Sequence, residues 1–299
     1  MIESKESITA KLCAFARAYH SREAKDKIFD DYLAYDILGD HEYNRIYDFI
    51  KHDFDFDNEV LTDDETKYII SEYIAPIPLA RIHFAEVRLE RFIKENEDVQ
   101  VVICGAGSDT FSFRNKLKNI QIYEIDHSDT QSYKLDKINT LGWQMPGNVR
   151  FVAVDFAKEK MIDKLIAAGF NKYKKTFFSI LGVSYYLSLP IFSKTLEQIT
   201  DLSTLGSVLV FDYPRMGDHF PERVYKLEDL TDYLGETMSG GFKYEDVSRA
   251  LYRLGYQIDT YMSAADVQKY YFDGREDKLR AFENVDMVSA KYTAGYSFE

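Results

Sequence analysis

Two short apolar runs end in glycines or in an acid, with a spacing that could bind a nucleoside. Residues 101–104 lead into Gly105-Ala106-Gly107-Ser108-Asp109, and residues 122–126 end in Asp126. Such runs are typical of buried parallel strands, and small ligands of open α/β sheets bind beyond the carboxyl ends of the strands. The carboxylate of Asp126 could accept hydrogen bonds from both hydroxyls of a ribose. The two runs therefore predict a nucleoside site.

The glycine loop favours a ligand without phosphate. Thr110 occupies the position of the third glycine in the G-x-G-x-x-G pattern, where glycine allows a helix to pack close to a pyrophosphate. Asp109 would repel a phosphate, whereas Gly105 and Gly107 still let the backbone approach a ligand closely. S-adenosylmethionine fits this loop better than a dinucleotide does. The alternative is a strand, a glycine turn and a helix that bind no ligand.

The composition indicates a globular protein with a proper hydrophobic core. The chain has 299 residues, of which 45% are hydrophobic, and its net charge is −13. Nucleic acids and anionic membranes are disfavoured as partners, because neutralising phosphate needs clustered Lys and Arg. Cys13 and Cys104 form neither a disulfide framework nor a metal-ligand spacing, so no metal is expected. Without a signal-peptide pattern or an apolar run of about 18 residues, the predicted location is the cytoplasm.

Further strand-like segments alternate with helical patterns along the chain. They cover residues 148–156, 176–182, 207–213, 256–261 and 285–293. The first of them carries another acid, Asp155, near its carboxyl end. Together with the two nucleoside-site strands, they predict an α/β fold with a doubly wound, seven-stranded, mostly parallel sheet.

Two segments outside the strand pattern are predicted to act as lids. Residues 1–78 are expected to form a helical N-terminal cap, in which Thr62 and Glu65 give a capping-box signature. Residues 79–299 form the core, with an insertion near residues 214–241 over the pocket mouth, and the whole is one structural domain. A helix over residues 79–94 leads into the first strand.

Several motifs recur in the order and spacing of a known family. They are Ala16-Arg17-Ala18, Ala80-Arg81-Ile82-His83, Gly105-Ala106-Gly107-Ser108-Asp109-Thr110 with Arg114, Tyr123-Glu124-Ile125-Asp126, Val154-Asp155-Phe156, and Gly182-Val183 with Tyr186-Leu187. In this order the chain, from about residue 9 to residue 213, resembles the leucine carboxyl methyltransferase family, which includes bacterial polyketide O-methyltransferases. The resemblance implies a Rossmann-like class I S-adenosylmethionine-dependent methyltransferase whose last strand is antiparallel.

The resemblance also implies a set of cofactor-site residues. Arg81 would hold the methionine carboxylate, Asp126 the ribose hydroxyls, and Asp155 and Phe156 the adenine. The glycine loop would line the cofactor through Gly105, Ala106, Gly107 and Asp109. Glu124, two residues before Asp126 on the same face of its strand, is expected to support it. A basic residue from the early segment belongs to the family's site as well, and either Arg17 or Arg22 could align with it.

One position departs from the family pattern. Where the family usually carries a cofactor-site glutamate just before Gly182-Val183, this chain has Leu181. The substitution puts the strength of cofactor binding or the activity in question.

The leading hypothesis is methyl transfer to an oxygen of a small-molecule acceptor, either a carboxylate or a hydroxyl. Tyr185, Tyr186 and Tyr213 are the candidate substrate residues near the pocket mouth, although core packing would explain them equally well. A carboxylate, with a pKa of about 4, is ionised at neutral pH and needs no general base. No catalytic residue is assigned. For a phenol or alcohol acceptor, the candidate bases are His83, His127 and His20, each of which could equally have a structural role.

Three alternatives remain open. The family name suggests methylation of a protein C-terminal carboxylate. An NAD(P)-dependent oxidoreductase is disfavoured because the one Tyr-x-x-x-Lys motif, Tyr133 to Lys137, falls too early in the chain. An inactive cofactor-binding module is suggested by Leu181. The sequence leaves the acceptor and the oligomeric state open.

Overall fold

The sheet has the strand order β3-β2-β1-β4-β5-β7-β6. The computed structural model describes residues 7–54, 60–117, 119–156, 158–238 and 240–294, so residues 1–6 and 55–59 of the predicted cap and residue 239 of the predicted insertion lie outside the described residues. Within the described ranges the strands are β1 (Gln100–Cys104), β2 (Gln121–Asp126), β3 (Val149–Ala153), β4 (Thr176–Ile180), β5 (Val208–Pro214), β6 (Tyr256–Met262) and β7 (Val285–Tyr292).

Strands β1 to β5 run parallel, and β7 runs antiparallel to both of its neighbours, β5 and β6. The strand order reverses between β1 and β4, which are neighbours at the centre of the sheet. The loops that follow these two strands therefore begin side by side. Ligands of doubly wound sheets bind at this switch point. The predicted fold class, including the antiparallel last strand, is confirmed.

Helices cover both faces of the sheet, and the first five of the described helices come before its first strand in the chain. The helices of the described chain are α1 (Ile8–Glu23), α2 (Ala34–Leu38), α3 (Asp40–Asp53), α4 (Asp63–Ile69), α5 (Pro76–Glu95), α6 (Phe111–Arg114), α7 (Ser128–Thr140), α8 (Met161–Ala167), α9 (Leu189–Leu202), α10 (Glu222–Tyr233), α11 (Tyr244–Arg253) and α12 (Ala264–Val267). A π-helical turn, Ile70–Ile74, continues α4, and another, Gln268–Phe272, continues α12. A 3₁₀ turn, Ser184–Tyr186, follows β4.

The two faces of the sheet have separate hydrophobic cores. In β5, Val210 packs with α1, α3 and α5, whereas Phe211 and Tyr213 pack with α8, α9 and α11. Every residue of β1 and of β4 is buried, as expected for central parallel strands covered on both sides. The N-terminal helices thus share the core that covers one face of the sheet.

Two local boundaries differ from the sequence prediction. Helix α5 begins at Pro76 rather than at residue 79, because proline is tolerated in the first helical turn, where its missing N–H has no intrahelical partner. Strand β3 ends at Ala153, so Asp155 lies in the loop beyond the strand. The capping box of α4 is present: Glu65 N–H donates to the Thr62 hydroxyl, and Thr62 N–H donates to Glu65.

Candidate functional site

A cavity of about 340 Å³ lies at the carboxyl ends of the central strands. Its size is at the lower end of the range for small-molecule sites. Most of the wall comes from α1, the start of α5, the loop after β1, the turn after β4 and α10, and the rest comes from the π-helical turn before α5, the ends of β1, β2 and β4, α7, the loop after β3 and the segment after α10. The cavity is lined by Ser7, Thr9, Ala10, Leu12, Cys13, Arg17, Tyr73, Ile74, Ile77, Pro78, Arg81, Ile82, Ile103, Cys104, Gly105, Ala106, Gly107, Ser108, Asp109, Asp126, Thr130, Phe156, Ser179, Leu181, Gly182, Val183, Tyr185, Tyr186, Leu187, Leu227, Leu230, Thr231 and Met238.

The loop after β1 is bound to the end of β2 by backbone hydrogen bonds. Gly105 N–H and Ala106 N–H both donate to the carbonyl of Ile125, at 2.8 and 3.1 Å. Gly105 has φ +71°, and a Cβ there would lie 2.5 Å from the Val183 Cγ2 atom. Both its backbone conformation and the contact with Val183 therefore require glycine.

Asp126 ties the glycine loop to β2. Its Oδ2 accepts a hydrogen bond from Gly107 N–H at 2.6 Å, and its Oδ1 accepts one from His127 N–H at 2.7 Å. Burial raises the pKa of this carboxyl, and the two backbone bonds oppose the rise. Each carboxylate oxygen can accept a second bond, so the side chain can still bind ligand hydroxyls from the cavity.

Arg81 projects from α5 onto the turn after β4. A Cβ at Gly182, where φ is +71°, would lie 2.5 Å from Arg81 Nη1, so the guanidinium lies directly against this glycine. Its Nη2 donates to the Cys13 sulfur at 3.1 Å, and its Nη1 is 3.5 Å from Asp212 Oδ2. Arg81 Nε is buried and has no partner among the described residues. Nη1 and Nη2 each carry a second N–H, so the guanidinium has donors left for a ligand besides the buried Nε.

Asp212, near the end of β5, lies behind Arg81 and is fully buried. Its Oδ1 accepts from Gly182 N–H at 2.8 Å, and its Oδ2 accepts from the Tyr185 hydroxyl at 2.8 Å. Its backbone carbonyl accepts from the Ser184 hydroxyl at 2.7 Å. The residue therefore connects β5 to the whole turn after β4.

A buried network joins α1 to the glycine loop. Arg17 donates to the Ser108 carbonyl at 2.7 Å and pairs with Asp31 at 3.0 Å. Asp31 also accepts from the Thr110 hydroxyl and lies 3.2 Å from Arg114 Nε. Of the two candidate arginines of the early segment, the structure brings Arg17 to the cavity. Arg22 instead stacks on Tyr35, with its guanidinium carbon 3.9 Å from the ring centre.

The N-terminus of α1 meets the segment after α10. Glu236 accepts hydrogen bonds from Ile8 N–H at 2.6 Å and from Thr9 N–H at 3.3 Å, and it also contacts the Thr9 hydroxyl. The Tyr186 hydroxyl donates to the Thr9 hydroxyl at 3.0 Å. A carboxylate at a helix N-terminus is favourable, because it satisfies free N–H groups and complements the helix dipole.

Most of the predicted site residues line this one cavity, but three do not. Arg81, Gly105, Ala106, Gly107, Asp109, Asp126, Phe156, Leu181, Tyr185 and Tyr186 are all in its wall. Glu124 is buried beneath α7 and pairs with Lys134 at 2.5 Å, because it lies deeper in β2 than Asp126 and is covered by that helix. Burial raises the pKa of Glu124, and Lys134 opposes the rise.

Asp155 and Tyr213 are the other two predicted residues outside the wall. Asp155 lies beyond the end of β3 and pairs with Lys158 at 2.8 Å. Tyr213 follows Asp212 in β5 and so points to the opposite face, where its ring stacks on Phe242 at 6.0 Å. The structure thus places Tyr213 away from the cavity, and Asp212 is the residue of that strand end whose side chain bonds to the wall residues Gly182 and Tyr185.

None of the three candidate histidines lines the cavity. His20 is buried, and its Nε2 accepts from Ile28 N–H at 2.9 Å. His83 lies 3.3 Å from the Tyr271 hydroxyl in a separate cavity on the other side of α5, and His127 caps the exposed start of α7. Each of them has a structural contact instead.

Several site residues were not found from the sequence. Cys13, Asp212, and the α10 side chains Leu227, Leu230 and Thr231 have no motif spacing in common with the glycine loop. The sequence did contain a signal for Asp212, because this residue, like Asp126, is an acid near the end of a buried strand. For the α10 residues no comparable pattern exists, because they reach the site through long-range packing.

The described residues fit S-adenosylmethionine. A glycine loop that approaches the cavity closely, an acid with free acceptor capacity and a guanidinium with unused donors can bind its sugar edge and its carboxylate. Within the described ranges no group of three His, Cys, Asp or Glu could hold a metal ion. None of the described helices is long and apolar enough to cross a bilayer.

The sheet order and this site define a class I S-adenosylmethionine-dependent methyltransferase. Residues 10–200 match the model of the leucine carboxyl methyltransferase family, and the chain belongs to that family. It is 34% identical to the Bacillus subtilis protein named "Putative S-adenosyl-L-methionine-dependent methyltransferase YktD", over 97% of this chain and 99% of that protein. This membership sets aside the oxidoreductase alternative.

Two further comparisons concern a more distant relative and a solved structure. A protein of Mycolicibacterium paratuberculosis named "Putative S-adenosyl-L-methionine-dependent methyltransferase" is 24% identical over 96% of this chain and 93% of that protein. The solved structure of the CurJ carbon methyltransferase matches with a TM-score of 0.50 and 12% identity, over 95% of this chain and 67% of that one. At this identity the structural match shows the fold alone.

Proposed function

We propose that the enzyme transfers the methyl group to an oxygen of a small, largely apolar acceptor, and that this oxygen belongs to a carboxylate. The observation that carries the proposal is an apolar part of the cavity wall. It is formed by Tyr73, Ile77, Leu227, Leu230 and Met238. Apolar walls with a few polar groups are typical of small-molecule sites.

The charged groups of the cavity lie on the cofactor side. Among the described wall residues, the charged ones are Arg17, Arg81, Asp109 and Asp126, and no histidine, lysine or glutamate is present. A carboxylate is already ionised at neutral pH and needs no base, whereas an alcohol must lose its proton. This distribution of charge favours a carboxylate over a hydroxyl.

The two tyrosines of the wall support the same choice. Burial and the neighbouring Asp212 raise the pKa of Tyr185 well above its usual value. Burial also raises the pKa of Tyr186, to about 12. Both side chains stay protonated at neutral pH and donate their one hydroxyl hydrogen within the protein, Tyr185 to Asp212 and Tyr186 to Thr9, so neither can remove a proton from an acceptor.

Positioning is the main task of the protein in this reaction. Bound S-adenosylmethionine supplies an activated methyl group, and the walls must hold the acceptor oxygen in line with it and exclude water. Such positioning can contribute roughly 7 to 11 kcal/mol at best. Helices α1 and α10, which line the cavity from above the sheet, provide the exclusion of water.

A product assay tests the proposal. The protein is incubated with cofactor carrying a radiolabelled methyl group and with a cell extract separated into small molecules and proteins. We expect label in the small-molecule fraction, released as volatile methanol by mild alkali, because esters hydrolyse under these conditions and ethers do not. An incubation without the protein serves as the control.

Each other outcome assigns a different function. Alkali-stable label in the small-molecule fraction would refute a carboxylate acceptor and leave a hydroxyl or another nucleophile as the acceptor. Label in the protein fraction would support methylation of a protein C-terminal carboxylate. No label in any fraction, with cofactor binding intact, would indicate an inactive binding module, the alternative that Leu181 suggested.

A further inference from the structure

We infer that Asp212 is a positioning residue that fixes Arg81 for the carboxylate of the cofactor. The inference rests on the proposed role of Arg81 as the group that binds this carboxylate. Asp212 itself does not line the cavity, so it must act through the residues that it touches. The argument depends on which donors each of its oxygens accepts.

Three neighbours of Asp212 are in the cavity wall. Gly182 N–H donates to Oδ1 at 2.8 Å, the Tyr185 hydroxyl donates to Oδ2 at 2.8 Å, and Arg81 Nη1 lies 3.5 Å from the same Oδ2. Gly182 is also the surface on which the guanidinium of Arg81 rests. One buried carboxylate thus sets the place of the guanidinium and of the glycine beneath it.

The long distance to Arg81 has a functional meaning. A bidentate pair of arginine and carboxylate has N···O distances of about 2.7 to 2.9 Å and would occupy two donors of the guanidinium. In this site the short bonds to Asp212 come from the neutral donors of Gly182 and Tyr185. The acid therefore attracts the guanidinium while using at most one of its donors, and Nη1 and Nη2 each keep a second N–H for a ligand.

An asparagine at this position would remove the attraction with almost no change in shape. If its oxygen keeps the bond from Gly182 N–H, its NH₂ group faces the Tyr185 hydroxyl and the Arg81 guanidinium. The Tyr185 hydroxyl can turn and accept from this NH₂ group, but the guanidinium has only donors and would have to move. A ligand that uses Arg81 would lose affinity, and a ligand that does not use it would be unaffected.

The chain offers a matched control in Asp286. This acid is also fully buried, accepts from a tyrosine hydroxyl, that of Tyr261, at 2.8 Å, and lies 3.5 Å from an arginine, Arg215. Its Oδ1 accepts from Ala264 N–H at 3.2 Å. None of these partners lines the cofactor cavity. Asp286→Asn thus removes the charge of an equally buried acid without altering the cofactor site.

The experiment compares S-adenosylmethionine with decarboxylated S-adenosylmethionine by calorimetry, using the full chain. For Asp212→Asn we expect the Kd of S-adenosylmethionine to rise at least about tenfold and that of the decarboxylated analogue to stay within about twofold. Asp286→Asn should leave the ratio of the two constants unchanged. In the Arg81→Lys background, Asp212→Asn should change the ratio no further, because both substitutions remove the same interaction.

Three results would overturn the inference. They are an equal loss for both ligands in folded Asp212→Asn, no loss for either, and a second, additive change in the double variant. An unchanged ratio in Arg81→Lys alone would refute both the role of Arg81 and that of Asp212, whereas the proposed acceptor is judged by the product assay instead.

A second variant covers the case that Asp212→Asn does not fold. Tyr185→Phe removes the neutral donor to Oδ2, so the acid should draw the guanidinium towards itself and away from the ligand. The ratio of the two constants should then shift in the same direction, by less. An unchanged ratio in Tyr185→Phe would overturn the inference.

Discussion

Arg81 is the cavity residue for which the structure gives the most specific expectation. Its guanidinium lies between Gly182, Cys13 and Asp212, and its Nε has no partner among the described residues. Arg81→Lys keeps the charge but replaces a planar fork of donors with a single ammonium. We expect weaker binding of S-adenosylmethionine, by about 1.5 to 3 kcal/mol, and little change for the decarboxylated analogue.

Calorimetry with both ligands measures this difference. Arg91→Lys, on the exposed face of the same helix and paired with Glu95 at 2.7 Å, is the matched control. An equal loss for both ligands would mean that Arg81 supports the fold rather than the cofactor.

Asp126 combines two tasks at the end of β2. Because it holds Gly107 and His127 through their N–H groups and also faces the cavity, Asp126→Ala should release the loop as well as the ribose. We expect the affinity for cofactor to fall by about 1.5 to 3 kcal/mol or somewhat more. Fluorescence titration with S-adenosylhomocysteine measures it, and Asp129→Asn in the next helix is the control. Wild-type affinity in a folded Asp126→Ala variant would refute the ribose assignment.

At the residue scale, the sequence predicted side chains at strand ends better than side chains within strands. Asp126, at the last position of β2, is open to the cavity as expected, whereas Glu124 on the same face is covered by Lys134 of α7. In β5 the sequence pattern favoured Tyr213. Side chains alternate between the two faces of a strand, however, and it is Asp212 whose side chain bonds to the cavity wall. A sequence pattern does not give the exact position where a strand meets its loop, and a shift of one residue exchanges the two faces.

At the element scale, α1 is held to the loop that follows it by a neutral histidine. His20 Nε2 accepts a hydrogen bond from Ile28 N–H, and the side chain is buried. Burial, with a smaller effect of Arg275, lowers its pKa from 6.5 to about 4. The folded protein therefore resists protonation of this ring at a pH where the unfolded chain accepts the proton.

This difference predicts a loss of stability in mild acid. The contribution of His20 is complete above pH 6.5 and falls as the pH decreases towards 4, because only the unfolded state gains the proton in that window. Between pH 7 and pH 5 we expect a loss of roughly 2 kcal/mol in the free energy of unfolding. Urea unfolding of the wild type and of His20→Gln at both pH values measures it. The same pH dependence in both proteins would contradict the prediction.

The strand and helix pattern was readable because each central element is covered along its whole length. Strands β1 and β4 are buried throughout and appear in the sequence as short apolar runs. The α10 side chains that line the cavity show no such pattern. Leu227, Leu230 and Thr231 of α10 line the same cavity as residues of α1 that lie more than 200 positions earlier in the chain, and no local pattern encodes that arrangement.

At the scale of the whole molecule, the proposal of a closing lid concerns α1 and the 214–241 segment together. Hydrogen bonds with Glu236 and Tyr186 join the start of α1 to the segment after α10 and to the turn after β4. We expect hydrogen exchange in α1 and α10 to slow when S-adenosylhomocysteine is added, because the ligand holds both helices over the cavity. Helix α11, which packs on the other face of the sheet, provides the internal control.

Glu236→Gln sharpens this measurement. The variant keeps the shape of the side chain but weakens its bonds to the first turn of α1. It should exchange faster than the wild type in α1, both with and without ligand. If adding the ligand leaves hydrogen exchange unchanged in both α1 and α10, the lid proposal is refuted. The division of the chain at residue 78 stays a prediction.

The place of β7 has a consequence for biosynthesis. It is the latest of the seven strands along the chain, yet it lies between β5 and β6 and pairs with both. While the ribosome has not yet released residues 285–292, β5 has an open edge and β6 has no neighbour to join. A nascent chain can assemble the half of the sheet that contains the glycine loop, but it cannot close the other half. We therefore expect chains stalled before residue 285 to expose an unpaired strand edge and to depend on chaperones until translation passes β7.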